Sequence, residues 1–110
     1  ALAREVPVAS TVMVYASRLT VATHPVSAAA PEIVRSYVRY GASPRGAQAL
    51  ILGGKIAALL DGRYNVAFED LRAVAPAALR HRLLLNFEGQ AEGIRPNDVV
   101  TALLDAVPEP

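Results

Sequence analysis

The residues with the clearest chemical potential are Ser43, Pro44 and Arg45, which follow Gly41 and begin a long apolar segment. A serine at the N-cap accepts a hydrogen bond from a helix amide, and proline suits the first helical position because its φ is fixed. Arg45 would lie in the first turn, where the positive end of the helix dipole disfavours a cation. An arginine at this position therefore suggests that an anion binds beside it. Because helix starts bind anions, Ser43, Pro44 and Arg45 form a candidate anion-binding site, with phosphate as the obvious ligand.

A second interpretation of Arg45 is equally open from the residues alone. Its aliphatic stem could pack on Tyr40 while its guanidinium pairs with a carboxylate such as Glu69 or Asp70. Arg45 would then stabilise the fold and bind no ligand. The two hypotheses differ in whether the guanidinium has a carboxylate partner within the chain.

Two other motifs are interpreted as structural. The GGK segment at 53–55 lacks the earlier glycine of a phosphate-binding loop and is followed by Ile56 instead of Ser or Thr, so we expect it to serve helix packing. The RHR segment at 80–82 could contact nucleic acid or an acidic partner surface, but a solvated helix end is favoured, because cations complement the dipole there. His81 has no recognisable nucleophile or base partner and is left out of the site.

The composition narrows the possible chemistry. The chain has 110 residues, 53% of them hydrophobic, a formal net charge of +1 and no cysteine. Nucleic-acid binders usually carry a basic excess, so no nucleic-acid partner is expected. No metal site is expected, since His24 and His81 are too far apart for a local motif. Without a long apolar run or a signal peptide, the expected location is the cytoplasm, with no membrane span.

The spacing of apolar residues predicts helices along most of the chain. A helix is expected over about 9–23, because apolar residues recur every three or four positions. A short helix should begin at Pro31 and end at Gly41. The segment 45–60 is apolar on nearly every side and is expected to be the central helix of a bundle.

Pro76 is expected to divide the next helical segment in two, because it removes a hydrogen bond and crowds the preceding turn. The other elements predicted for this half of the chain are an extended link at 64–66, a helix start at Glu69 and Asp70, an extended segment at 83–87, a polar loop at 88–93 and a last helix from 96 to 107.

Together these elements predict one all-α domain over residues 1–110, a small bundle of about five to six helices with short extended links. That length supports a single core but is short for a complete nucleotide-hydrolysing protein. Because the chain opens at Ala1 without a methionine, we expect it to be a fragment of a longer protein.

Five segments together resemble the C-terminal lid domain of the MoxR family of AAA+ ATPases. They are YVRYGASPR at 37–45, AALLDGR at 57–63, FEDLRAVAP at 68–76, LRHRL at 79–83 and AEG at 91–93. The resemblance extends over about residues 6–108, and the set is specific although no single segment is. It implies an AAA+ lid whose P-loop ATPase domain is absent from this chain.

The resemblance implies that Arg45 is the sensor-2 arginine, which reaches the phosphates of ATP on the preceding P-loop domain. Ser43 and Pro44 would hold its helix start in place, and a permanently charged, fork-shaped guanidinium suits phosphate. The implied cofactor is Mg-ATP. The implied partners are the protein's own P-loop domain, the neighbouring subunits of a homo-oligomeric ring such as a hexamer, and an unidentified protein client.

The implied function is to close over ATP, sense its phosphate and couple hydrolysis to chaperone-like remodelling of protein partners. The Walker elements of such proteins have no counterpart here, so the chain by itself is not expected to be catalytic. The alternative is a free-standing helical interaction module, which would need an exposed apolar groove and show no nucleotide dependence. A DNA-binding helical domain would need its arginines gathered on one helix face, whereas here they are scattered.

One departure from the family pattern concerns the start of the helix that contains Glu69. Similar proteins often place Ser or Thr and then Pro there, whereas this chain has Ala67 and Phe68. A missing hydroxyl cap typically costs about 1 kcal/mol of helix stability. The loop at 26–30 is also less charged than in similar proteins, which puts any partner contact through it in doubt.

Overall fold

Helices account for most of residues 6–110, the part of the chain that the computed structural model describes. In chain order the elements are α1 (Ser10–Val21), α2 (Glu32–Tyr37), β1 (Val38–Tyr40), α3 (Pro44–Leu60), α4 (Phe68–Leu79), β2 (Leu84–Leu85), α5 (Phe87–Ala91) and α6 (Pro96–Ala106). The predicted all-α bundle is confirmed. Residues 1–5 lie outside the described part, so a single domain over 1–110 stays a prediction.

The core forms where α3 packs on α4 and on α1, and α6 packs against α4. The largest fully buried side chains include Tyr15, Leu19, Leu50, Leu71, Leu79 and Leu103. These residues follow the helical spacing of the sequence, and the predicted helices at 9–23 and 96–107 are confirmed to within two residues at each end.

Helix α3 is the longest helix in the described range but is buried on one face only. Leu50 and Ala58 are fully buried, whereas Leu52, Ile56 and Leu60 are between 45% and 85% exposed. Helix α3 is central in that it packs on both α4 and α1, but its outer face is exposed, which its apolar composition did not indicate. An apolar composition on all sides does not by itself enclose a helix, because enclosure depends on how many neighbouring helices the fold supplies.

The GGK segment serves helix packing, as the sequence predicts. A Cβ on Gly54 would lie 2.8 Å from Leu71 Cδ2 and 3.0 Å from Val66 Cγ1, and one on Gly53 would lie 3.1 Å from a methyl group of Val74. Both glycines lie inside α3 and face α4, so a larger residue at either position would require Leu71, Val66 or Val74 to shift.

Pro76 does not divide the chain into two helices, contrary to expectation. Helix α4 continues through it to Leu79, and the Arg80 amide donates to the Pro76 carbonyl at 3.0 Å. Pro76 lies in the last turn, so the helix loses one hydrogen bond and retains those that follow. The link at 64–66 was also mispredicted, since residues 64 and 65 form bends and no strand is present there.

The segment at 38–40 is a strand, not the continuation of α2 that the sequence suggested. Val38 pairs with Leu85 and Tyr40 with Leu84 in an antiparallel sheet with an irregularity between the pairs. The extended segment predicted at 83–87 is confirmed only at Leu84 and Leu85, which form β2, because Phe87 already begins α5. Local periodicity could not reveal β1, because its hydrogen-bonding partner lies far away in sequence.

Helix α5 occupies residues 88–91 of the polar loop predicted at 88–93, and a turn follows at 92 and 93. Asn86 caps it, with its side-chain oxygen accepting from the Gly89 amide at 2.8 Å. The Asn86 side-chain amide also donates to the Ser36 carbonyl at 2.8 Å, so the cap is fixed to α2. A five-residue helix is too short to be stable alone, and the contact with α2 supplies what its sequence lacks.

Asp70 stabilises the start of α4 in place of a hydroxyl cap. Its Oδ2 accepts from the Ala67 amide at 2.8 Å, and its two oxygens accept from Arg63 Nη1 at 2.9 Å and Nη2 at 2.5 Å. The Asp70 side chain is 7% exposed. The hydrogen bond from Arg63 lowers the pKa of Asp70, against the opposing effect of burial.

We expect Asp70→Asn to lower the free energy of unfolding by about 2–3 kcal/mol at pH 7, because it removes a largely buried ion pair. The folded pKa lies below the unfolded value of about 3.9, so this contribution is present above that pH and is lost as pH falls through the folded pKa. Urea denaturation of both proteins between pH 7 and pH 2 measures it.

The matched control is Asp61→Asn, since Asp61 also pairs with Arg63, at 2.8 Å, but is 69% exposed. It should cost less than about 1 kcal/mol. A stability difference between wild type and Asp70→Asn that stayed constant down to pH 2 would contradict the assignment.

Candidate functional site

The predicted helix start at Ser43, Pro44 and Arg45 is confirmed in its local geometry. Ser43 is the N-cap of α3, with extended backbone angles of φ −74° and ψ 175°, and Pro44 is the first helical residue. Ser43 Oγ accepts from the Arg45 amide at 3.3 Å, and the Ser43 carbonyl accepts from the Gly46 amide at 2.7 Å. These amides have partners, so a ligand would be bound by side chains more than by free backbone groups.

The residue before the cap is fixed to the end of α1. The Ala42 amide donates to Thr23 Oγ1 at 2.8 Å, and His24 Nε2 lies 2.7 Å from the Ala42 carbonyl oxygen. Because a carbonyl oxygen only accepts, His24 Nε2 carries the proton in this contact. Thr23 and Ala42 are fully buried, so the start of α3 is held at both backbone polar groups of Ala42.

Two glycines permit this close approach. A Cβ on Gly41 would lie 2.6 Å from the Thr23 carbonyl oxygen, and a Cβ on Gly46 would lie 2.9 Å from Ala42 Cβ. Neither distance is compatible with a larger residue unless the backbone moves. The sequence indicated Gly41 only as a helix end, and its role in positioning the site depends on a contact with α1.

Arg45 has no carboxylate partner within residues 6–110. The ion pairs in that range involve Arg63 and Arg95, and Asp70 pairs with Arg63. The Tyr40 ring contacts Arg39 instead, whose guanidinium carbon lies 5.3 Å from the ring centre. The hypothesis that Arg45 pairs with Asp70 is therefore wrong, and its exposed guanidinium is available to a ligand.

Arg45 faces an open cleft of about 730 Å³. The residues that line the cleft are Ser43, Pro44, Arg45, Gln48, Ala49, Leu52 and Arg82. Two of them are arginines and none is a carboxylate, so the lining is positively charged. Such a surface attracts an anionic group, and guanidinium forks match the oxygen geometry of phosphate.

Arg82 is the residue of this cleft that the sequence analysis missed. The RHR segment was assigned to a solvated helix end, and Arg82 is indeed exposed beyond α4. Its amide donates to the Leu79 carbonyl at 2.9 Å and its Nε donates to the Ala78 carbonyl at 3.0 Å. The basic cluster was a visible signal, but nothing local indicated that one of its residues lines the same cleft as Arg45.

Comparison with known proteins identifies the domain. The profile of the family described as AAA lid domain matches residues 30–103. The chain belongs to the AAA lid domain family. The matched range contains the whole of α3 and the residues that line the Arg45 cleft.

The relatives of this AAA lid domain include proteins named MoxR. It is 35% identical to chaperone MoxR1 of Mycobacterium tuberculosis over 96 residues, which cover 87% of this chain and 26% of that protein. It is 39% identical to the protein MoxR of Methylorubrum extorquens over 75 residues, covering 66% of this chain and 22% of that protein. The resemblance to a MoxR-type lid is thus confirmed.

A solved structure has the same fold as this lid domain. A Cytophaga hutchinsonii protein described as a candidate ATPase superposes with a TM-score of 0.91 at 33% identity, covering 97% of this chain and 32% of that one. The lid domain spans about a quarter of the length of the curated relatives named above. Within residues 6–110, no helix of the lid is long and apolar enough to cross a membrane.

Proposed function

We propose that this lid closes over ATP bound to a P-loop domain of the same parent protein and contacts the phosphates through Arg45. The observation that carries the proposal is an exposed arginine without a carboxylate partner in the described range, on a firmly held helix start that faces a cationic cleft. Membership of the AAA lid family and the relatives named MoxR support it.

The cleft residues fit phosphate and do not fit the magnesium ion of Mg-ATP. Arginine side chains donate hydrogen bonds to phosphate oxygens, whereas Mg²⁺ takes oxygen ligands such as carboxylates. No group of three or more His, Asp or Glu in residues 6–110 is arranged to hold a metal ion. In this proposal Mg²⁺ is held by the P-loop domain, and the lid contributes positive charge alone.

Closure would move the lid as one unit. Arg45 lies in the first turn of α3, a 17-residue helix that packs against both α4 and α1. A phosphate contact that displaces Arg45 would therefore displace α3 together with the helices packed against it. Loss of the terminal phosphate would weaken the contact between Arg45 and the nucleotide. The preferred angle between the lid and the P-loop domain would then change. In a homo-oligomeric ring this change would link the nucleotide state to movement of the subunits.

Remodelling of protein clients is the activity that we assign to such a ring, following the name of chaperone MoxR1. The parent protein would hydrolyse ATP and the lid by itself would not. The cytoplasm remains the predicted location.

Hydrogen exchange in the full-length parent protein tests the proposal. We expect amides at 41–50 to exchange more slowly with a non-hydrolysable ATP analogue and Mg²⁺ than with no nucleotide, because closure covers the start of α3. The same nucleotide should change exchange less at 96–106, since α6 does not line the cleft. Equal exchange at 41–50 in both states would contradict closure at this site.

A helical interaction module remains the second candidate, and one observation favours it. An exposed apolar groove of about 600 Å³ lies on the outer side of α1, next to the end of α6. Its lining includes Met13, Val14, Val21, Ala106 and Val107. An interaction module would show no response to nucleotide in the exchange experiment, so the same measurement separates the two candidates.

A further inference from the structure

Two arginines from different elements meet in one cleft. Arg45 comes from the first turn of α3, and Arg82 follows the end of α4. Both side chains are exposed and line the same open volume, together with Gln48. Because α3 and α4 pack along each other, the tertiary fold brings both residues to the same cleft.

The Arg82 guanidinium is oriented by one hydrogen bond from Nε, and its two terminal nitrogens remain available to a ligand. Its Nε donates to the Ala78 carbonyl at 3.0 Å, which orients the guanidinium without neutralising it. The ion pairs within residues 6–110 do not include Arg82. The two terminal nitrogens carry four of the five donors of the group, and these remain to bind a ligand.

Two like charges lining one cleft repel each other unless an anion lies between them. No carboxylate lines the cleft to supply that compensation. A phosphate chain has the required chemistry, because each phosphate group offers several charged oxygens to a planar fork. The cleft is open to solvent and has a volume of about 730 Å³, so a phosphate chain can enter it.

Arg80 provides an internal comparison. It lies two residues before Arg82, but it does not line the cleft, and its Nε contacts His81 Nε2 at 3.3 Å. The turn after α4, in which the Arg82 amide donates to the Leu79 carbonyl, gives the two side chains different surroundings. Of these two arginines, only Arg82 lines the cleft, so Arg80 serves as the matched control for substitutions of Arg82.

We propose that Arg82 is a second phosphate-binding residue, which acts with Arg45 on the polyphosphate of the nucleotide. This inference rests on the proposed function, because the nucleotide is bound by the P-loop domain of the parent. Arg45 and Arg82 then form a two-arginine clamp, and closure of the lid requires both forks to reach phosphate oxygens.

The test compares Arg82→Gln with Arg80→Gln in the full-length protein. We expect Arg82→Gln to weaken binding of a non-hydrolysable ATP analogue by at least about 10-fold, since a charge-assisted hydrogen bond is lost. Arg80→Gln removes the same charge and should change the Kd less than about 2-fold. Arg82→Lys keeps the charge and loses the fork, so it should fall between the wild type and Arg82→Gln.

The outcomes separate this inference from the proposed function. Equal affinities for Arg82→Gln and Arg80→Gln would overturn the clamp, while slower exchange at 41–50 on nucleotide binding would leave the role of Arg45 intact. Loss of subunit assembly with unchanged nucleotide affinity would also overturn it, because Arg82 would then bind a carboxylate of a neighbour. If Arg82→Gln does not fold, Arg82→Lys decides, and wild-type affinity in that variant rejects the clamp.

Discussion

Arg45→Ala in the full-length protein is expected to lower the rate of ATP hydrolysis about 100-fold, the cost of removing one preorganised charged donor from developing phosphate charge. The helix start that carries Arg45 is held by the Ser43 cap and by the Ala42 contacts with Thr23 and His24. Steady-state ATP turnover at saturating nucleotide measures the effect, and Arg45→Lys should recover only part of the loss.

The fold of the lid should survive the same substitution. No hydrogen bond or ion pair of the Arg45 side chain is present within residues 6–110, so Arg45→Ala should change the free energy of unfolding by less than about 0.5 kcal/mol. Arg39→Ala is the matched control, since Arg39 is an exposed arginine that contacts Tyr40 and lies outside the cleft. Wild-type turnover in Arg45→Ala would remove Arg45 from the site.

Tyr15→Ala is expected to lower the free energy of unfolding by about 3–5 kcal/mol, the largest stability effect that we predict for a single substitution. Tyr15 is fully buried, and its ring packs edge-on against the ring of Phe68, with 5.4 Å between the two ring centres. Its hydroxyl accepts from Arg72 Nη1 at 3.0 Å, and the same nitrogen donates to the Leu104 carbonyl at 3.0 Å. Tyr15 thus joins α1 directly to α4, and Arg72 extends this connection to α6.

Tyr15→Phe separates packing from hydrogen bonding. It keeps the ring and removes one hydroxyl, so we expect a loss of about 1 kcal/mol, because Arg72 retains its bond to Leu104. Urea denaturation of the 110-residue chain at pH 7 gives both values. If Tyr15→Phe cost as much as Tyr15→Ala, the ring would not be the main contribution, and the packing argument would be wrong.

The elements that the sequence predicted are those fixed within one or two helical turns. The apolar stripe that contains Tyr15 and Leu19 predicted α1, and the Ser43-Pro44 pair predicted the start of α3. Both signals are local, because a helix cap and a periodic apolar face depend on residues three or four positions apart. The elements that it missed depend on distant partners. Strand β1 needs Leu84 and Leu85, and α5 needs the bond from Asn86 to Ser36 across 50 residues.

The candidate site divides in the same way. The sequence alone determined that Ser43, Pro44 and Arg45 form a helix start, because that geometry is local. Only the tertiary structure decided whether Arg45 is available, since Asp70 is occupied by Arg63 instead. The tertiary structure also decided that Arg82 lines the same cleft as Arg45. The packing of α3 on α4 and the turn after α4 set the position of Arg82, and no spacing in the sequence encodes that position.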